Sequence, residues 1–264
     1  MDTWGNSKGE KWVFLDVGNV IFYDLPLLAR IWRYFYLTLK EGGLSLSFEE
    51  VLREREKLLQ NNPPEMNPRK MIADKYAGHI DREIVDRAVN QWRSVYPGSN
   101  HPVSGIFDLL KSLQENYNLG IIANQPPLAM DELKKYQLEG YFKHIIISDM
   151  VGLHKPDPEI FRHAVELAGA RPEQCLMVGD RIDNDVRPAK MVGMRAVWLN
   201  MDFHLMNYQP ADDYERLYIE SYLRITGIDQ SYKGSGYEPD GVIASLGELP
   251  RTIGSIMTEQ EVAG

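Results

Sequence analysis

The 264-residue chain has a single cysteine, Cys175, so neither an intrachain disulfide nor a cysteine-built metal cluster can form within it. Thiol usage of this kind points to a reducing, cytoplasmic setting. Positive charge is also scarce: 29 Lys and Arg against 38 Asp and Glu leave a formal net charge of -9, and no run of five basic residues occurs. A polyanion held by counterion release is therefore not expected as a partner, which removes nucleic acid from consideration. No apolar stretch reaches the roughly 18 residues of a membrane span, and "MDTWGNSKGEK" lacks the apolar centre of a signal peptide, so no membrane partner is expected either. Internal repeats and low-complexity tracts are missing too. What remains is a composition of 44% hydrophobic and 25% charged residues, close to that of an ordinary soluble globular chain. Its length suits one large domain, or a core carrying a smaller one.

Six short apolar runs recur along the chain: "WVFLDV", "NLGIIAN", "HIIIS", "CLMVGD", "RAVWLN" and "GVIAS". Several are continuous rather than alternating, the pattern of strands buried on both faces of a parallel sheet. Helical patterns such as "SGIFDLLKSLQENY" and "DPEIFRHAVELAGA" lie between them. Strand alternating with helix predicts a doubly wound α/β fold. Residues 25–100 break the alternation with amphipathic helices only, for which Ser47, Asn67 and Asp81 are candidate N-caps and Pro68 a first-turn residue. The expected division is a core of 11–24 and 101–264, an inserted helical domain of 25–100, and a polar tail of 1–10. Between the last two strands, Met201 to Glu238 adds a further helical pattern, "ADDYERLYIESYLRIT", with no evident job.

Ligands of open α/β sheets sit outside the carboxyl ends of the strands. The polar residues expected there are Asp16, Asn124, Lys155 and Asp180, with Asp185 a little beyond. Two or three carboxylates at one place suit a small hard cation, so Mg²⁺ is the natural occupant. One Asp free to attack, a cation to neutralise the transferring group and a fixed lysine charge make up a phosphoryl-transfer centre. Taken singly, each residue has an ordinary reading as well. An Asp after a strand caps helices or forms turns, Asn124 could cap the helix that follows, and Asp185 suits a helix N-terminus.

Four motifs in order resemble the haloacid dehalogenase (HAD) superfamily: "FLDVGNV", "GIIANQ", "GLHKPDPEIF" and "VGDRIDNDVRPAKMVGM". The resemblance implies a Rossmann-like HAD core with a helical cap, and a phosphatase acting through an aspartyl-phosphate on a small phosphorylated metabolite. It implies Asp16 as nucleophile, Lys155 as stabiliser of the phospho-aspartate, and Asn124 as a catalytic or substrate-positioning group. The metal partners it implies are Asp16, the Gly18 carbonyl, Asp180 and Asp185, with Asn19 a further substrate contact. Two departures stand out. Gly18 occupies the position of the family's second aspartate, its general acid and base, and Ala123 replaces the hydroxyl of the second motif. Positioned proton transfer contributes about 10²- to 10⁴-fold, or roughly 3 to 5 kcal/mol of barrier, so these losses favour substrates with good leaving groups. His154, beside the lysine, is a candidate replacement acid. Two alternatives stay open: a non-catalytic protein that binds metal and a phosphorylated ligand, and dehalogenase or phosphonatase chemistry. Oligomeric state is not legible.

Overall fold

The computed structural model describes residues 11–61, 67–201, 209–225 and 234–258, and the 1–10 tail lies outside them. All six apolar runs form strands. They are β1 (Trp12–Leu15), β4 (Asn118–Ala123), β5 (His144–Ile147), β6 (Cys175–Gly179), β7 (Arg195–Leu199) and β8 (Gly241–Ile243). A separate two-stranded ribbon pairs β2 (Phe22–Tyr23) with β3 (His101–Pro102). The six pair in parallel in the order β5-β4-β1-β6-β7-β8. Continuous apolar runs suit this sheet because both faces are covered. Trp12, Phe14, Ile122, Cys175 and Met177 are buried on one side, and the alternate residues Val13, Leu15, Ile121, Leu176 and Val178 are equally buried. Each such side chain contributes about 1.5–3 kcal/mol.

The chain starts in the middle of the sheet, builds outward to β5, then returns to the other side of β1. Progress along the sheet therefore reverses at β1, and the carboxyl ends of β1, β4 and β6 become neighbours. Connecting helices are α5 (Ile106–Leu113), α6 (Leu128–Lys135), α7 (Ser148–Val151), α8 (Pro158–Ala168), α9 (Arg187–Met191) and α11 (Leu249–Thr258). Helix α8 starts where Asp157 accepts the Glu159 N–H at 3.0 Å, and stops at Gly169 in the left-handed region. The fourth-motif segment opens as a π-helical turn, Ile182–Val186, in which the Arg181 carbonyl accepts the N–H groups of both Asp185 and Val186.

A second compact unit holds α1 (Asp24–Glu41), α2 (Phe48–Asn61), α3 (Pro68–Tyr76) and α4 (Arg82–Asn90), built as the amphipathic patterns require. The caps form as read: Ser47 and Glu50 exchange a capping box, Asn67 accepts from Arg69 and Lys70, and Asp81 accepts from Glu83. Helix α4 gives way at Gln91 to a 3₁₀ turn over Trp92–Val95.

One boundary differs from the sequence expectation. Helix α10 (Asp213–Ile225), from the stretch assigned to the core, belongs to the helical unit. Its Tyr214 packs on Tyr36 and Phe48, and its Tyr218 is buried in the same apolar cluster as Trp32, Phe35 and Leu52. An amphipathic period fixes which side of a helix is buried but not which neighbour buries it. The chain consequently passes between the two units four times. No helix among the described residues is long and apolar enough to cross a membrane.

Candidate active site

Asp16 follows β1 directly, and its N–H continues the sheet pairing by donating to the Val178 carbonyl at 2.9 Å. That bond ties the first acid to the strand whose end carries Asp180. The turn beyond is tight: Ile21 and Phe22 both donate to the Val17 carbonyl, and Asn19 donates to the Phe22 carbonyl at 2.7 Å. Its left-handed residue is Asn19, with φ of 55°, a conformation that asparagine tolerates better than most side chains. Held there, Asn19 aims its amide at the second acid and donates to Asp180 Oδ2 at 2.7 Å. Trp198, at the end of β7, grips the same residue from its backbone by donating its indole N–H to the Asp180 carbonyl at 3.0 Å.

Lys155 lies at the centre, its side chain wholly buried. Its ammonium reaches Asp16 Oδ1 at 2.8 Å and Asp185 Oδ1 at 2.6 Å. Burial works to lower this ammonium, but the two carboxylates outweigh it and hold Lys155 above the usual lysine range. Asn124 secures the lysine from behind. Its Nδ2 donates to the Lys155 carbonyl at 2.7 Å and its Oδ1 accepts the Lys155 N–H at 2.8 Å. The amide is thus engaged with this backbone at both ends, an arrangement neither the capping nor the substrate reading had anticipated.

Asp185 is fully buried, and both its oxygens are engaged, Oδ1 by Lys155 and Oδ2 by the Arg181 N–H at 3.0 Å. Burial, with the negative charge of Asp16 behind it, pushes its carboxyl up to about 6 against the pull of Lys155. It can occupy this place because Gly179 has no side chain. A Cβ there would stand 2.3 Å from the Asp185 Cβ and Cγ. At Asp16 the two oxygens differ. Oδ1 accepts from both Lys155 and the Val17 N–H at 2.7 Å, whereas no protein donor among the described residues reaches Oδ2.

Asp16, Asp180 and Asp185 each offer an oxygen within 4.8 Å of the others, a spacing that one small cation can bridge. Three carboxylates against the one ammonium of Lys155 leave an excess of two negative charges. The guanidinium of Arg181 pairs with Asp183 instead. An all-oxygen donor set with a double negative charge fits a divalent hard cation such as Mg²⁺.

The sequence-derived residues Asp16, Asn19, Asn124, Lys155, Asp180 and Asp185 are thus joined by direct hydrogen bonds or ligand-range spacing, with Gly18 in the turn between two of them. Ala123 ends β4 fully buried, with no hydroxyl to offer. His154 is not brought in. Its side chain is 56% exposed and its Nε2 lies 3.5 Å from Asp149 Oδ1, while the adjacent lysine is buried. Sequence reasoning missed Trp198, Gly179 and the Arg181 N–H. Gly179 alone carried a signal, since glycine before the fourth-motif aspartate forecasts a close approach.

The family profile described as haloacid dehalogenase-like hydrolase matches residues 10–193. The glyceraldehyde 3-phosphate phosphatase of Pyrococcus furiosus is 30% identical over 187 residues, covering 68% of this chain and 72% of that one. A phosphoserine phosphatase of Thermus thermophilus is 38% identical over 93 residues, 35% of this chain and 37% of its own. Among solved structures, a HAD phosphatase from Thermococcus onnurineus matches in fold with a TM-score of 0.61 at 24% identity, over 92% of this chain and 98% of that one.

Proposed function

Because the chain belongs to the haloacid dehalogenase-like hydrolases, and is a hydrolase of phosphate monoesters, we propose that it works with Mg²⁺ through an aspartyl-phosphate formed on Asp16. The observation that carries this reading is the asymmetry of Asp16, with Oδ1 pinned by two donors and Oδ2 reached by none among the described residues. Oδ2 attacks phosphorus as the bond to the leaving oxygen breaks. Lys155 stays protonated throughout and offsets the charge that develops beside Oδ1. A bound Mg²⁺ would neutralise the phosphoryl oxygens, held by Asp16, the Gly18 carbonyl and Asp180. Asp185, its oxygens already engaged, serves the same centre chiefly by fixing Lys155, and Asn124 by fixing the lysine's backbone. Water then attacks phosphorus and breaks its bond to Asp16 Oδ2, releasing inorganic phosphate and a proton to solvent.

No acid stands at Gly18, and the exposed His154 is engaged with Asp149, so the leaving oxygen takes its proton from water. This supports a small phosphorylated metabolite with a good leaving group, such as an anomeric or acyl phosphate. The named relatives support a sugar-phosphate-sized substrate. A buried free thiol at Cys175 supports a cytoplasmic setting. The test is phosphate release from esters graded by leaving-group pKa, in Mg²⁺ and in EDTA. Expected are Mg²⁺-dependent turnover that falls steeply as the leaving group worsens, and its loss in Asp16→Asn. Turnover indifferent to both EDTA and Asp16→Asn would overturn the mechanism. Stabilisation by beryllium fluoride with Mg²⁺, and no turnover of any ester, would favour a binding protein instead.

A further inference from the structure

Asp16 and Asp185 share the ammonium of Lys155, at 2.8 and 2.6 Å. Asp180 is held by other means, from the ends of two separate strands. Asn19, in the turn after β1, donates its Nδ2 to Asp180 Oδ2 at 2.7 Å. Trp198, near the end of β7, donates its indole N–H to the Asp180 carbonyl at 3.0 Å. One bond fixes the carboxylate, and the other fixes the main chain that carries it.

Both holders are themselves fixed. Asn19 is 2% exposed, and its left-handed backbone is closed by the bond from its N–H to the Phe22 carbonyl. Trp198 pairs in register with Gly179, the residue before Asp180, and lies buried in the apolar cluster that includes Ile182 and Val186 of the π-helical turn. The indole is therefore aimed by the same packing that sets the turn bearing Asp185.

Both donors are also neutral. Three carboxylates within 4.8 Å repel one another, so an Asp180 side chain held by nothing would turn away from the other two. A lysine at position 19 would prevent that turning but would cancel the charge that attracts a cation. An amide orients the carboxylate and leaves its charge in place, and an indole on the carbonyl adds none. Donors placed behind a ligand in this way raise metal affinity without touching the ion.

We propose that Asn19 and Trp198 are positioning residues that set the affinity of this centre for its divalent cation, acting through Asp180 rather than on the substrate. The proposal rests on the reading of Asp16, Asp180 and Asp185 as a Mg²⁺ site, and adds to that site two residues that do not ligate the ion.

The test is calorimetric titration of the full chain with Mg²⁺, comparing the parent with Asn19→Gly and Trp198→Phe. Glycine adopts a φ of 55° without strain, so Asn19→Gly keeps the turn and removes only the amide. Trp198→Phe keeps an apolar ring and removes the indole N–H. Trp12→Phe is the control, since Trp12 is buried in the same cluster at the start of β1, stacked on Phe14 and His144. Expected is a Kd for Mg²⁺ weakened about tenfold or more in Asn19→Gly and in Trp198→Phe, and parental in Trp12→Phe. With p-nitrophenyl phosphate at saturating Mg²⁺, KM should stay near that of the parent in both. Parental Mg²⁺ affinity in Asn19→Gly or Trp198→Phe would overturn the proposal and leave the metal site standing. A KM that rises in Asn19→Gly while Mg²⁺ affinity holds would do the same, and would mark Asn19 as a substrate contact. Equal weakening in Trp12→Phe would overturn it too, by assigning the effect to the core as a whole. A parent chain that binds no Mg²⁺ would overturn the metal site itself, and the proposal with it.

Discussion

Replacing Gly179 with alanine tests the packing on which the whole acid cluster depends. The new Cβ would lie 2.3 Å from Asp185 Cβ and Cγ, and 2.4 Å from Oδ2, where ordinary contact begins near 3.4 Å. Something must therefore move by about 1 Å, and a rotamer change cannot supply it, because Asp185 Cβ is fixed to the π-helical turn. The bonds at risk are Lys155 to Asp185 at 2.6 Å and Arg181 N–H to Asp185 at 3.0 Å. Overpacking alone costs about 1–3 kcal/mol, and full loss of a buried ion pair about 3–5 kcal/mol. A partial loss puts the total near 3 kcal/mol, or a fall in melting temperature of about 6–12 °C for a chain of this size. A shift of about 1 Å at Lys155 lowers kcat about 10²-fold. Gly140→Ala is the control, since a Cβ there meets nothing within 4 Å. Thermal melts and phosphate-release kinetics of both variants decide the matter. A Gly179→Ala protein with parental stability and kcat would refute the argument that this glycine makes room for Asp185.

The raised Asp185 carboxyl predicts a pH effect on the metal-free protein. Its pKa of about 6 in the fold exceeds the roughly 3.9 of an unfolded chain, so its stabilising contribution is complete below about pH 4 and lost as pH rises through about 6, at most about 3 kcal/mol. Melts in EDTA should show that decline, and Mg²⁺ or Asp185→Asn should flatten it. Cys175, whose thiol burial pushes up to about 12, should resist iodoacetamide at pH 8 until the protein unfolds, as mass spectrometry of the alkylated chain would report. Asp240 accepts from Lys190, Arg195 and the Ala196 N–H, joining the start of β8 to β7. Asp240→Ala strands those donors and should destabilise the chain by about 2–4 kcal/mol in urea unfolding.

Local chemistry in the sequence determined much of this protein. Apolar runs of strand length, their alternation with helical periods, and cap residues such as Ser47 and Asp81 act over a few positions, so the parallel sheet and its helices could be read in order. The site was legible for a related reason. Strand ends fix where polar residues emerge: Asp16, Asn124 and Asp180 directly follow β1, β4 and β6, and Lys155 lies in the loop beyond α7. Tertiary structure alone decided how those residues divide the work. Asn124 is committed to the backbone of Lys155, Asn19 to Asp180, and His154 turns outward, because partners far apart in sequence are chosen by packing rather than by periodicity. The same holds for α10. Its amphipathic pattern promised a buried face, but only the aromatic cluster of Tyr36, Phe48 and Tyr214 assigned that face to the helical unit and brought Tyr218 to Arg55.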